Sequence, residues 1–164
     1  MKNIVLIGMP GSGKSTVGVV LAKMLGLHFL DSDLVIQETE GKLLSEIIEE
    51  KGPDGFLAVE DRINAGLQCE KTVIATGGSA VFGANAMAHL KEIGTVVYLK
   101  LSYEELTTRL GNLKGRGVVL RDGQTLKDLY EERIPLYEKY ADVVIEELGE
   151  GIEETARKII DKIR

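Results

Sequence analysis

Residues 8 to 16 run Gly-Met-Pro-Gly-Ser-Gly-Lys-Ser-Thr, the pattern G-x-x-x-x-G-K-[ST]. Such a loop constrains the fold because its chemistry requires a strand before it and a helix after it. Both flanks comply. Asn3-Ile4-Val5-Leu6-Ile7 is a short apolar run of the kind a buried parallel strand carries. Behind the loop, Val17, Val20, Leu21 and Met24 recur at i, i+3, i+4 and i+7, which predicts an amphipathic helix.

The chemistry of the loop follows from its backbone. Glycines let successive N–H groups turn into one concavity, and the helix behind adds unsatisfied N–H groups and the positive end of its dipole. Gly11, Ser12, Gly13, Lys14, Ser15 and Thr16 are therefore candidate nucleotide contacts. Lys14 can reach the β- and γ-phosphates, and the Ser15 hydroxyl can ligate Mg²⁺. A glycine-rich turn that binds nothing is the competing interpretation, and the strand and helix in register argue against it.

The rest of the chain alternates strand-like and helix-like segments, which predicts a three-layer α/β fold with a parallel sheet. Strands are expected at Leu27–Leu30, Thr72–Ala75, Thr95–Leu99 and Val143–Ile145 besides the first. Helices are expected over Leu43–Glu50, Phe56–Cys69, Ala84–Ile93, Ser102–Leu110 and Leu126–Tyr140, the last broken at Pro135 near Arg133, and again from Ile152 on. A turn is expected at Lys51–Gly55. The 164 residues are read as one domain, with an acceptor-binding segment at about 32–62 and a lid at about 110–123.

Composition bounds the partners. The net charge of −6 gives no basic surface for nucleic acid, and no apolar run approaches a membrane span. The single cysteine, Cys69, excludes an intramolecular disulfide and is expected within a helix, buried or half-buried and without a nucleophilic role. No leader is visible before the first strand, so a cytoplasmic location and a monomer are expected.

Asp31-Ser32-Asp33 follows the second strand directly. Ligands of open α/β sheets sit at the carboxyl ends of the strands, so these carboxylates are placed either for chemistry or to cap the next helix. Phosphoryl transfer needs one carboxylate for Mg²⁺ or its waters and another to take the acceptor's proton. Thr76-Gly77-Gly78-Ser79 follows the third strand, where glycines permit close approach of a ligand or simply make a tight turn. From Arg109 to Arg121 the chain holds three glycines together with Lys114 and Arg116, which suits a basic lid over phosphates.

Taken together, these segments resemble the shikimate kinase family, a branch of the P-loop kinases related to nucleoside-monophosphate kinases. The resemblance covers nearly the whole chain. Gly8–Thr16 is similar to the family's P-loop, Asp31 and Asp33 to its D-x-D pair, and Phe56 and Glu60 to the outer residues of its F-R-x-x-E segment. Ile74–Gly78 resembles the strand leading to its triple glycine, Arg109 and Arg116 its lid arginines, and Arg133-Ile134-Pro135-Leu136-Tyr137 with Ala141 its R-x-P-x-Y-x-x-x-A segment. The resemblance implies a P-loop NTPase fold with a five-stranded parallel sheet of order 2-3-1-4-5. It implies ATP-dependent phosphorylation of a hydroxyl on a small, carboxylate-bearing acceptor, with shikimate foremost and Mg²⁺ required. Lys14, Asp33 and Arg116 would be catalytic and Asp31 would help Ser15 hold the metal. Arg109 would lie against adenine, and Asp33, Gly77, Gly78, Ser79 and Arg133 would bind the acceptor.

Two positions depart from the family pattern. Leu57 stands where the family has an arginine that shares the acceptor carboxylate with the one matched by Arg133, and Ser79 replaces the third glycine. Both departures lie on the acceptor side. They keep open a different acceptor, such as gluconate or a nucleoside monophosphate, and a nucleotide-binding protein that no longer transfers phosphate.

Overall fold

A computed structural model of the chain describes residues 2–110 and 123–164. Residues 111–122 of the expected lid, Arg116 and Arg121 among them, lie outside the described residues.

Five strands form one sheet: β1 (Asn3–Ile7), β2 (His28–Asp31), β3 (Thr72–Ala75), β4 (Gly94–Lys100) and β5 (Val143–Glu146), in the order β2-β3-β1-β4-β5. Every pairing is parallel. Seven helices are described: α1 (Lys14–Leu25), α2 (Ser32–Glu40), α3 (Leu44–Ala65), α4 (Ala84–Ile93), α5 (Tyr103–Arg109), α6 (Leu126–Tyr140) and α7 (Ile152–Ile163). None is long and apolar enough to cross a membrane.

Side-chain alternation along the strands builds two cores. In β1 and β4, Ile4, Leu6, Val97 and Leu99 point to one face and pack with Val17 and Leu21 of α1 and Ala156 and Ile159 of α7. Val5, Ile7, Val96 and Tyr98 point to the other face, against Met87 and Leu90 of α4 and Leu129 and Tyr137 of α6. All of β1 is buried, as a central strand covered by helices on both faces must be. Each such Leu or Ile contributes about 1.5–3 kcal/mol by leaving water. A third cluster, Ile36, Ile47, Phe56, Val59 and Ile63, joins α2 to α3 beside the sheet.

Several boundaries differ from expectation. The segments predicted on either side of Lys51–Gly55 form one kinked helix, bent where Gly52 takes φ 74° and ψ 174° and Pro53 starts the second half. That helix stops at Ala65, so Cys69 lies in the following loop, half-buried, with its carbonyl accepting from Asn3 Nδ2 at 2.9 Å. Pro135 does not break α6: Arg133 and Tyr137, buried on either side of it, tie the helix to the core. Met24 and Val19 are exposed on α1, whose buried stripe is Val17, Gly18, Leu21 and Ala22.

Candidate active site

The strand order places β1 between β3 and β4, the point where chain connections leave in opposite directions and a crevice opens at the carboxyl ends. Residues 8–13 leave β1 there. Gly13, at φ 87°, closes the loop onto α1 in a conformation other residues rarely adopt. No side chain caps that helix, so its first N–H groups face the crevice as an anion site. Lys14 folds over the loop, and its Nζ donates to the carbonyls of Gly8 at 2.8 Å and Met9 at 2.9 Å. Burial pulls the ammonium down to about 8, opposed by the nearby Asp33 carboxylate.

Asp31 ends β2 and does two things. Its Oδ1 accepts from Asp33 N at 2.9 Å and caps α2, while Oδ2 accepts from Ser15 Oγ at 2.9 Å. The capping and chemical interpretations of this acid are thus compatible. A hydroxyl and a carboxylate oxygen side by side suit a hard cation that arrives with nucleotide phosphates. Among the described residues, no group of three or more His, Cys, Asp or Glu is arranged to hold a metal on its own.

Asp33, on the first turn of α2, points into a cavity of about 260 Å³ that it shares with Lys14, Phe56, Glu60, Ser79 and Arg133. Burial, then the charge of Asp31, pushes its carboxyl up to about 6, while Lys14 pulls it down. A carboxylate poised near neutrality suits a general base.

The β3 end explains its glycines. Thr76 is pinned by its N–H and hydroxyl, which donate to Leu6 O at 3.2 and 2.7 Å. A Cβ on Gly77 would come within 2.6 Å of Asp33 Oδ1, and one on Gly78 within 2.6 Å of the Pro10 ring and 2.9 Å of Arg133 Nη1. Here the requirement is space between packed groups. Gly78 O also accepts from Tyr137 Oη at 2.5 Å, and the Tyr137 ring stacks on Tyr98 with centroids 5.1 Å apart.

Arg133 is 1% exposed, its guanidinium 5.5 Å from the Phe82 ring centroid. Arg109 reaches the other end of the crevice, where Nη1 donates to Gly11 O at 3.2 Å and lies 4.0 Å from Glu147 Oε1. Leu57 is absent from the cavity wall and packs on the α2–α3 cluster. Arg62, an alternative cation on α3, turns outward to Glu40 at 3.5 Å.

Two buried acids escaped the site assignment from sequence. Glu60 is 2% exposed, accepts from Ser79 Oγ at 2.7 Å, and is pushed up to about 7, chiefly by burial. The signal was a carboxylate on the helix stripe of Phe56, Val59 and Ile63, where charge is rare unless paired. Glu147, just past β5, is also pushed up to about 7, by burial first, with Arg109 opposing. Only its place at a strand's carboxyl end hinted at it.

This architecture and site define a P-loop kinase: a parallel sheet with a glycine-rich loop at its switch point and a carboxylate, Asp33, in the cavity beside it. The shikimate kinase family model matches residues 10–164. Shikimate kinase of Thermodesulfovibrio yellowstonii is 39% identical over 163 residues, spanning 98% of this chain and 94% of its own. That of Persephonella marina is 36% identical over 165 residues and the full length of both. A solved shikimate kinase from Acinetobacter baumannii, in complex with shikimate, superposes with a TM-score of 0.91 at 37% identity, covering 99% of this chain and 93% of that one. The chain belongs to the shikimate kinase family, ATP-dependent phosphotransferases that act on a hydroxyl group.

Proposed function

We propose that this chain transfers the γ-phosphoryl group of Mg-ATP to a hydroxyl of shikimate. The observation that carries the reading is one cavity lined by a buried lysine of the loop, a half-buried carboxylate and a buried arginine: Lys14, Asp33 and Arg133. The acceptor oxygen bonds to the γ-phosphorus as the bond to ADP breaks, and Asp33 takes the hydroxyl proton. The loop N–H groups of residues 11–16 and Lys14 hold the phosphates. Ser15 and Asp31 are the donors that would hold Mg²⁺, which supplies charge neutralisation on the phosphate oxygens. Arg133 pairs with the acceptor carboxylate, and Gly77, Gly78 and Ser79 form the wall against which the acceptor lies. Arg109, beside Gly11, lies against adenine. Arg116, which lies outside the described residues, is the cation assigned by the family resemblance to the charge on the transferring group.

One observation favours a second reading of the acceptor alone. Leu57 stands where relatives are expected to hold a second arginine, and it packs away from the cavity. A hydroxylated acid gripped by a single arginine, gluconate for instance, would then be preferred. The reading also takes the chain to be a cytoplasmic monomer without nucleic-acid or membrane partners, as its net charge of −6 favours; sedimentation would check its mass. The acceptor is tested by incubating the purified protein with Mg-ATP and shikimate, gluconate or nucleoside monophosphates, and identifying the phosphorylated product by mass spectrometry. A product from gluconate or a nucleotide and none from shikimate overturns the assignment.

A further inference from the structure

Ser79 sits where the resemblance leads one to expect bare glycine backbone. It is 6% exposed, and its hydroxyl donates to Glu60 Oε1 at 2.7 Å. The second carboxylate oxygen, Glu60 Oε2, is buried and has no hydrogen-bond partner among the described residues. A buried acceptor atom left unmet is disfavoured, and such atoms are commonly met by a ligand or water. The direction in which Oε2 points is given by Gly77: a Cβ there would lie 3.1 Å from Glu60 Oε2 and 2.6 Å from Asp33 Oδ1. The two oxygens therefore flank one point of the cavity wall. One belongs to the proposed base, and the other is free to accept from a neighbouring hydroxyl.

We propose that Ser79 is a positioning residue for acceptor specificity: its hydroxyl fixes Glu60 so that Oε2 accepts a hydrogen bond from an acceptor hydroxyl adjacent to the one phosphorylated. The site then selects acceptors with two neighbouring hydroxyls. This rests on the proposed function for the reaction and for its choice of shikimate as probe. The groups facing Glu60 agree with the arrangement. Burial, Asp33 of α2 and Asp61 of α3 favour its protonated form, while the Ser79 hydrogen bond and Arg133 of α6 favour the carboxylate. Removing the Ser79 hydroxyl subtracts one of the two influences that keep Glu60 able to accept.

The test compares wild type with Ser79→Ala, Ser79→Gly and Glu60→Gln. Saturation curves for shikimate, and for analogues each lacking one ring hydroxyl, are taken across pH with Mg-ATP. Glu60 is titrated directly by carbon-13 NMR of glutamate-labelled protein. In both Ser79 variants the KM for shikimate rises about tenfold, kcat falls by much less, and the KM for ATP stays put. The Glu60 titration and the acid limb of kcat/KM for shikimate both move to higher pH. The analogue lacking the adjacent hydroxyl shows a higher KM than shikimate in wild type, and the difference narrows in both Ser79 variants and in Glu60→Gln, whose amide oxygen is a weaker acceptor than a carboxylate. An unchanged shikimate KM, an unmoved Glu60 titration, or equal rises in both substrates' KM overturns the inference. Should Ser79→Ala not fold, Ser79→Gly gives the same readouts. If wild type does not use shikimate, the acceptor assignment falls, and the Ser79 role is read from the KM of whichever of gluconate or a nucleoside monophosphate is phosphorylated: a rise of about tenfold in Ser79→Ala supports it and an unchanged KM overturns it.

Discussion

Ser15 Oγ and Asp31 Oδ2 are in hydrogen-bond contact at 2.9 Å, joining the phosphate loop to the end of β2. Because Asp31 Oδ1 also accepts from Asp33 N, the oxygens proposed to hold Mg²⁺, the cap of α2 and the proposed base form one connected unit. In Asp31→Asn the remaining carbonyl oxygen keeps the cap, so stability changes by less than the ~1 kcal/mol of a lost cap. The lost charge weakens the grip on Mg²⁺. The Mg²⁺ concentration giving half-maximal rate should rise about tenfold, read from activity at fixed ATP, while thermal melting stays near wild type.

Asp33 must be ionised to take a proton, and its carboxyl is pushed up to about 6 by burial and by Asp31. Activity should therefore fall as pH drops through about 6 and level off above it. Asp33→Asn should lose about 10²- to 10⁴-fold in kcat and also lose that acid limb. A pH–rate profile of both proteins checks this, and an unchanged limb in the variant would assign the ionisation elsewhere.

Glu60 has a stability consequence separate from catalysis. Its folded pKa, about 7, lies above the ordinary 4.5. The folded state thus binds the proton more tightly than the unfolded state. The favourable contribution of the neutral form is complete below about 4.5 and is lost as pH rises through about 7. Glu60→Gln keeps a neutral group at all pH values and should be more stable than wild type at pH 8, by about 1–3 kcal/mol. The gap should close towards pH 4.5, as urea melts at the two pH values would report.

Leu57→Arg returns the cation expected in the family. Leu57 packs at the margin of the α2–α3 cluster, so replacing it should cost about 1–2 kcal/mol of stability. A second arginine reaching the acceptor carboxylate should lower the shikimate KM at least about tenfold. No gain in the kinetics would count against reading Leu57 as the missing partner of Arg133.

What could be seen in the sequence follows the range of the interactions. The loop at 8–16, the strand before it and the helix behind it rest on local spacing, and β3 begins and ends where its apolar run does. Sheet order came from resemblance, because pairing of β1 with β3 and β4 joins residues far apart in the chain. Gly52 and Pro135 misled in the same direction, each read as the end of a helix that in fact continues. The first bends a helix instead of ending it, and the second sits in a helix anchored on both sides by Arg133 and Tyr137. The buried carboxylates of Glu60 and Glu147 were hidden for a similar reason. The groups around them, Ser79, Asp33 and Arg133 for Glu60 and Arg109 and Lys14 for Glu147, are distant in the chain, and only Glu60's place on an apolar helix stripe hinted at its burial.

The central claim is tested most directly by ADP release from Mg-ATP with the purified protein as shikimate is varied over a wide range. Saturable, shikimate-dependent turnover at micromolar to low-millimolar acceptor is the predicted result. Turnover that is absent, or that rises linearly without saturating, would contradict the assignment and mark the pocket around Leu57 and Ser79 as built for another hydroxylated acceptor.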